Sequence, residues 1–189
     1  VQAIVVDPVA MFGETPPGLQ RFGPFRAGTR AEYARLVATQ LRAGKTVLRH
    51  AVRAGGPVHV VGKAAAGRLR EVWNGRRVSL ATRRPPMPPH LASPSALLDL
   101  EASAEAPVFL SKRDAECWFD QLRLPVALRP WMGRPAVAVR ELLDAGMSLD
   151  EVARCVSDGS PVSPSSSFFP VGCTWGMGFS WSSFVAQSC

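Results

Sequence analysis

The chain has 189 residues, 47% of them apolar and 20% charged, which suits one domain, or part of a larger one, and excludes wholesale disorder. Its net charge of +7 is unevenly spread: residues 21–84 hold 15 Lys/Arg against only Glu32 and Glu71, whereas residues 85–189 hold 7 against 11 acids. Such asymmetry suggests a polyanion track beside a site that could hold cations, with a solvated Arg-rich face as the alternative, and 19 of the 22 cations are Arg, whose planar fork matches phosphate oxygens.

Residues 1–28 carry scattered Pro and Gly (MFGETPPGLQRFGPFRAG) and read as irregular. The first residue is Val1 and no basic-then-apolar leader is visible, so an N-terminus that is processed or arbitrarily cut is expected. From Thr29 to about Arg53 the pattern is helical. Thr29 is the N-cap, Glu32 completes a capping box, Tyr33, Leu36, Val37 and Leu41 share a face, and Gly44 is a candidate break. The GKT at 44–46 ends like a phosphate-binding loop, but Thr39 stands where the first glycine is required and no strand precedes it, so that reading fails.

PVHVVGK (57–63) and RLREVWN (68–74) flank a small turn and predict a β-hairpin with a basic rim. RRPPMPPHLASP (83–94) is an extended connector, and a short helix begins at Ser95. VFLS (108–111) reads as a buried strand. LPVALRPWMGRP (124–135) is broken by proline, and 136–146 reads as a helix closed by Gly146. Ser148 and Glu151 form the capping box of the next helix, followed by a polar loop over 157–167. Residues 159–189 contain no charged side chain, yet their four Gly, three Pro and nine Ser argue for a buried helix over 179–188 rather than a membrane span. Cys117, Cys155, Cys173 and Cys189 are 38, 18 and 16 apart, and His50, His59 and His90 stand alone, so none of the seven has metal-ligand spacing.

Chemistry is concentrated in VFLSKRDAECWFDQLRLP, where Asp114 ends a strand and Phe119 follows five residues later. A strand-end carboxylate suits a divalent cation, although a lone Asp also caps its own turn. Three segments together resemble the reverse transcriptases of retroelements. GKAAAGRLREVWNGRRVS (62–79) resembles the fingers hairpin of that family. DAECWFDQLRL (114–124) resembles its first palm motif, with Gln121, Leu122 and Leu124 at the expected offsets. WGMGFSWSSFVAQ (175–187) resembles the next, with Gln187 nine residues after Gly178.

The resemblance implies an α+β fold: right-hand polymerase fingers (about 29–104) plus an incomplete palm (about 105–189), an antiparallel sheet with packed helices, and a surface insertion at about 125–167. It implies template-directed nucleotidyl transfer, with Asp114 as the catalytic, Mg2+-binding carboxylate and the Ala115 carbonyl as a second oxygen. Lys63 and Arg70 would grip the triphosphate, Phe119 would gate against a 2′-hydroxyl, and Met177 and Gly178 would let the sugar come close. Arg68, Arg76 and Arg77 would meet template phosphates. The implied partners are an RNA or DNA template-primer and deoxynucleoside triphosphates, with no membrane, in nucleus or cytoplasm.

This sequence departs from the family at Trp118, where a small residue is usual, at Gly176 in place of proline, and in the long gap between Asp114 and Gly178. The aromatic-x-Asp-Asp motif does not occur in the 189 residues, so Mg2+ would need carboxylates from outside them and the chain alone is expected to be inactive. Two alternatives remain: a non-catalytic nucleic-acid-binding module using region 21–84, and a decayed retroelement reading frame.

Overall fold

The structure, a computed structural model, describes residues 7–13, 18–20, 28–62, 69–86, 101, 103–109 and 118–188. Inside the N-terminal stretch expected to be irregular, Pro8–Phe12 forms a short helix, α1. Its signals are local. The Asp7 carboxylate accepts from the Val9 N–H at 2.9 Å, Pro8 occupies the first turn where no N–H is needed, and Gly13 closes the helix at φ +58°. Met11 and Phe12 enter the core, where Phe12 stacks on Trp131 with ring centroids 4.8 Å apart.

Helix α2 (Arg30–Arg42) starts in the capping box expected from its sequence: the Glu32 N–H donates to Thr29 Oγ1 at 3.2 Å, and Thr29 N–H donates to Glu32 at 2.7 Å. Tyr33, Val37 and Leu41 are buried along its inner face, with Leu36 packed at the edge. The helix does not continue to Arg53. Gly44 adopts φ +64°, and Thr46–Arg49 becomes strand β1, with Thr46 and Leu48 buried and Val47 and Arg49 half-buried. β-branched Thr46 and Val47 in alternation suit a pleated surface better than a helix. Because GKT leaves a helix and enters a strand, its order is the reverse of a phosphate-binding loop.

The hairpin forms as expected. Strands β2 (Val58–Gly62) and β3 (Leu69–Trp73) pair antiparallel, with Val58 opposite Trp73 and Gly62 opposite Leu69. Helix α3 (Arg76–Leu80) follows directly. Val108 and Phe109 belong to no regular element, and 110–117 together with the helix expected from Ser95 lie outside the described residues.

After α4 (Trp118–Gln121) comes a 3-10 turn (Val126–Trp131), then β4 (Val137–Ala138) and α5 (Val139–Asp144) where one helix was expected. Glu141 accepts from the Ala138 N–H at 2.8 Å, which ends the strand and starts the helix in one step, and Gly146 at φ +87° terminates the turn beyond it. Helix α6 (Leu149–Cys155) begins in the Ser148–Glu151 capping box.

Strand β5 (Ser167–Gly172), unexpected from the sequence pattern, lies between β1 and β4 and runs antiparallel to both. Pro170 disguises it, since proline donates nothing to a ladder; the Pro170 carbonyl is used instead by the Arg134 N–H at 2.9 Å. Helix α7 (Ser180–Ser188) matches its expected span, with Trp181 1% exposed and its Nε1 donating to the Arg83 carbonyl at 2.8 Å.

The architecture is therefore α+β: a three-stranded antiparallel sheet of order β1-β5-β4, a separate hairpin, and helices packed around one core. Residues 125–167, expected on the surface, instead supply Leu128, Trp131, Val137, Val139, Leu142 and Val152 to that core. Their apolar spacing is interrupted by Pro and Gly, which conceals how many point inward. Among the described residues no helix is long and apolar enough to cross a membrane.

Candidate functional site

The described parts of the three segments singled out in the sequence (69–79, 118–124 and 175–187) meet in space. Leu124 N–H donates to the Cys173 carbonyl at 2.9 Å, Trp175 N–H donates to the Leu122 carbonyl at 3.0 Å, and Arg123 bridges antiparallel to Thr174. Trp118, at the start of α4, donates its Nε1 to the Ala186 carbonyl of α7 at 3.3 Å. The turn before α7 in its turn presses on the hairpin: a Cβ on Gly178 would stand 2.3 Å from the Trp73 carbonyl, and one on Gly75 would stand 2.8 Å from the Gly178 carbonyl. Gly178 sits at φ +106°, so both conformation and contact require glycine there. That requirement comes from packing on β3 and is complete without a nucleotide.

Of the expected site residues, Lys63, Arg68, Asp114 and Ala115 lie outside the described residues. Arg70 is placed in β3 opposite Val61. Phe119 lies half-buried in α4, and Met177 is 41% exposed beside Gly178. Arg76 and Arg77 are exposed on α3, where Arg77 Nη2 donates to the Gly18 carbonyl at 3.1 Å. No group of three His, Cys, Asp or Glu converges among the described residues, and Asp120, six residues beyond Asp114, is paired with Lys45 at 2.8 Å.

A polar cluster that no sequence motif announced lies at the hairpin's base. Arg134, 7% exposed, directs Nη1 to Gln40 Oε1 at 2.8 Å and pairs with Glu71 of β3; Gln40 Nε2 also donates to Glu71. Flanking residues join it. The Gly133 carbonyl accepts from Trp73 Nε1 and from the Gly56 N–H, both at 3.0 Å, and the Pro135 carbonyl accepts from the Tyr33 hydroxyl at 2.6 Å. Burial pushes the Tyr33 hydroxyl far above its ordinary range, with nearby Arg134 opposing the shift. Two signals were available: Glu71 is one of two acids in the basic half, and Arg134 is a lone cation between apolar runs.

Charge asymmetry along the chain is partly resolved by the fold. Arg30 pairs with Glu141, Arg42 with Glu151 and Lys45 with Asp120, each joining the basic half to the acidic half. In α3 and just beyond it, Arg76, Arg77, Arg83 and Arg84 stay exposed beside Leu80, which is 77% exposed. An open cleft of about 430 Å³ between α6 and the 157–162 loop is lined by Leu149, Asp150, Val156 and Ser160 and by none of the expected site residues.

No family model matches the chain, and no curated protein is significantly similar to it.

Proposed function

We infer that this chain is a segment of an RNA-directed DNA polymerase of the retroelement type, contributing the fingers hairpin and the first part of the palm to template-directed nucleotidyl transfer. The observation that carries the reading is the convergence of its three motif segments. Residues 122–124 pair with 173–175, and Gly178 packs on the end of β3, although these segments are separated by up to about a hundred residues of sequence. In this reading Lys63 and Arg70 neutralise triphosphate oxygens, and Phe119 restricts the space beside the sugar. Asp114 is one oxygen ligand of a Mg2+ ion, which when bound would lower the charge on the phosphates. Among the described residues no three His, Cys, Asp or Glu side chains converge.

Equilibrium titration of a deoxynucleoside triphosphate, with and without magnesium, tests this reading. Asp114→Ala is expected to abolish the magnesium-dependent part of the affinity and leave the folded core unchanged. Magnesium-independent binding, or identical titrations for both proteins, overturns the assignment. Primer extension with magnesium and all four nucleotides is expected to show no product; robust extension would refute the need for outside carboxylates. A second reading, nucleic-acid binding without chemistry, is favoured by the exposed arginines 76, 77, 83 and 84, and it predicts strand binding that Asp114→Ala does not alter.

A further inference from the structure

The hairpin has few holds on the rest of the molecule. A two-stranded ribbon is marginal in water by itself, and among its described side chains Val58 and Trp73, at its base, are the buried ones, while Val61 is 40% exposed. At that base Trp73 Nε1 donates to the Gly133 carbonyl. Beyond it, the polar tether to the body among the described residues is Glu71, held by Arg134 and Gln40. Glu71 is two residues from Trp73, on the same face of β3, and is immediately followed along the chain, in the direction of the turn, by Arg70.

Arg134 is in turn fixed from behind. Its N–H donates to Pro170 in the central strand, Gly133 N–H donates to Ala54 at 3.1 Å, and a Cβ on Gly133 would stand 2.7 Å from the Ala54 carbonyl. The guanidinium thus projects from a backbone that has no freedom to follow a moving hairpin.

We propose that Arg134 is a positioning residue: acting through Glu71, it holds strand β3, and with it the backbone at Arg70, in place for phosphate binding. This rests on the proposed phosphate-binding role of Arg70. Removing Arg134 does more than delete a contact. It leaves a mostly buried carboxylate without its counter-charge, and the strand must lift away from the body to hydrate it. Replacing both partners with apolar residues removes that drive, so the hairpin stays docked.

The test compares wild type, Arg134→Met, Arg134→Lys and the double variant Glu71→Met/Arg134→Met. Two readouts are amide hydrogen exchange along 58–62 and 69–73, with β1 and β5 amides as a folding control, and affinity for inorganic tripolyphosphate. Arg134→Met is expected to speed hairpin exchange at least about tenfold and weaken tripolyphosphate binding by a similar factor, with β1 and β5 protection retained. The lysine variant restores part of both, and the double variant restores most of both. Unchanged hairpin exchange in Arg134→Met overturns the proposal, as does faster exchange with unchanged affinity, or a double variant no better than the single. If wild type has no tripolyphosphate affinity, the phosphate role of Arg70 fails, and with it the positioning role; hairpin exchange would then report the clamp alone.

Discussion

Four glycines separate two costs that a methyl group meets, and together they test how tightly the hairpin joins the turn before α7. Gly62 has ordinary φ and open space, and Gly146 has φ +87° and open space. Gly133 has ordinary φ, but a methyl group there would meet a backbone oxygen at 2.7 Å, and Gly178 combines φ +106° with an oxygen at 2.3 Å. A side chain at such positive φ costs roughly 1–2 kcal/mol. Forcing a methyl group against backbone that cannot yield costs roughly 1–3 kcal/mol. Alanine at 62 should therefore change stability by less than about 0.5 kcal/mol, at 146 by about 1–2, at 133 by about 1–3 and at 178 by about 2–5 if the two terms add. Against a total stability of about 5–15 kcal/mol, Gly178→Ala consumes a large share. Urea melts followed by far-UV circular dichroism and tryptophan fluorescence would measure all four, provided the m-values agree. A Gly178→Ala cost within about 0.5 kcal/mol of zero, or one no larger than that of Gly146→Ala, would refute the close approach of residue 178 to Trp73. Loss of nucleotide binding in this variant has meaning only once its stability is known, because packing alone demands this glycine.

Acid should loosen the helix starts. The Thr29 N–H holds the Glu32 carboxyl below its usual range, and the Ser148 N–H, aided by Arg42, does the same for Glu151. A folded-state pKa below the unfolded one gives stability that is present at neutral pH and lost as pH falls through the folded value. Melting temperature should therefore fall as pH drops below the ordinary carboxylate range, and Glu151→Gln should flatten part of that limb; an unchanged acid limb contradicts the capping role. Burial raises the Cys173 thiol, and also that of half-buried Cys155. Iodoacetamide at neutral pH should label Cys173 at the rate of unfolding, read by peptide mass spectrometry, and labelling as fast as that of a free thiol would contradict its burial.

Local signals carried the elements that local physics decides. The two capping boxes at Thr29 and Ser148, the hairpin strands, the helix opened after Gly178 and the burial of Trp181 were all legible, because each depends on neighbours in sequence. What escaped was decided by partners far along the chain. Strand β1 hid inside a helical pattern because its pairing with β5 is over a hundred residues away, and β5 hid behind Pro170 and a run of serines. Residues 125–167 are expected on the surface because they lengthen the gap between Asp114 and Gly178 relative to the resembled family, yet Leu128, Trp131, Val137, Val139, Leu142 and Val152 enter the core. Of the candidate site, the resemblance places Asp114 across from Lys63 and Arg70, and Asp114 and Lys63 lie outside the described residues, whereas the Gln40–Glu71–Arg134 cluster joins three separate stretches and no spacing rule announces it.

Charge illustrates the same limit in a form that bears on partners. Along the chain, residues 21–84 form a continuous basic track, but the fold commits Arg30 and Arg42 elsewhere. Arg30 donates Nη2 to the Ala136 carbonyl at 3.1 Å and pairs with Glu141, and Arg42 donates Nη2 to the Gly146 carbonyl at 2.7 Å and pairs with Glu151. An exposed ion pair is worth only about 0–1 kcal/mol and would yield to a phosphate, but the carbonyl bonds tie both arginines to the ends of α5 as well. Arg83 is displayed differently. Its N–H donates to Met11 and its carbonyl accepts from buried Trp181, so its backbone is fixed while its side chain, like that of Arg84, faces solvent. For single-stranded nucleic acid each neutralised phosphate contributes roughly 0.7 to the slope of log K against log salt. If the chain binds single strands, as the second reading holds, Arg83→Ala/Arg84→Ala should reduce that slope by about 1.4, and Arg30→Ala/Arg42→Ala should leave it unchanged. Equal losses from the two pairs would mean that the strand follows the linear charge of the sequence and not the surface that folding leaves open.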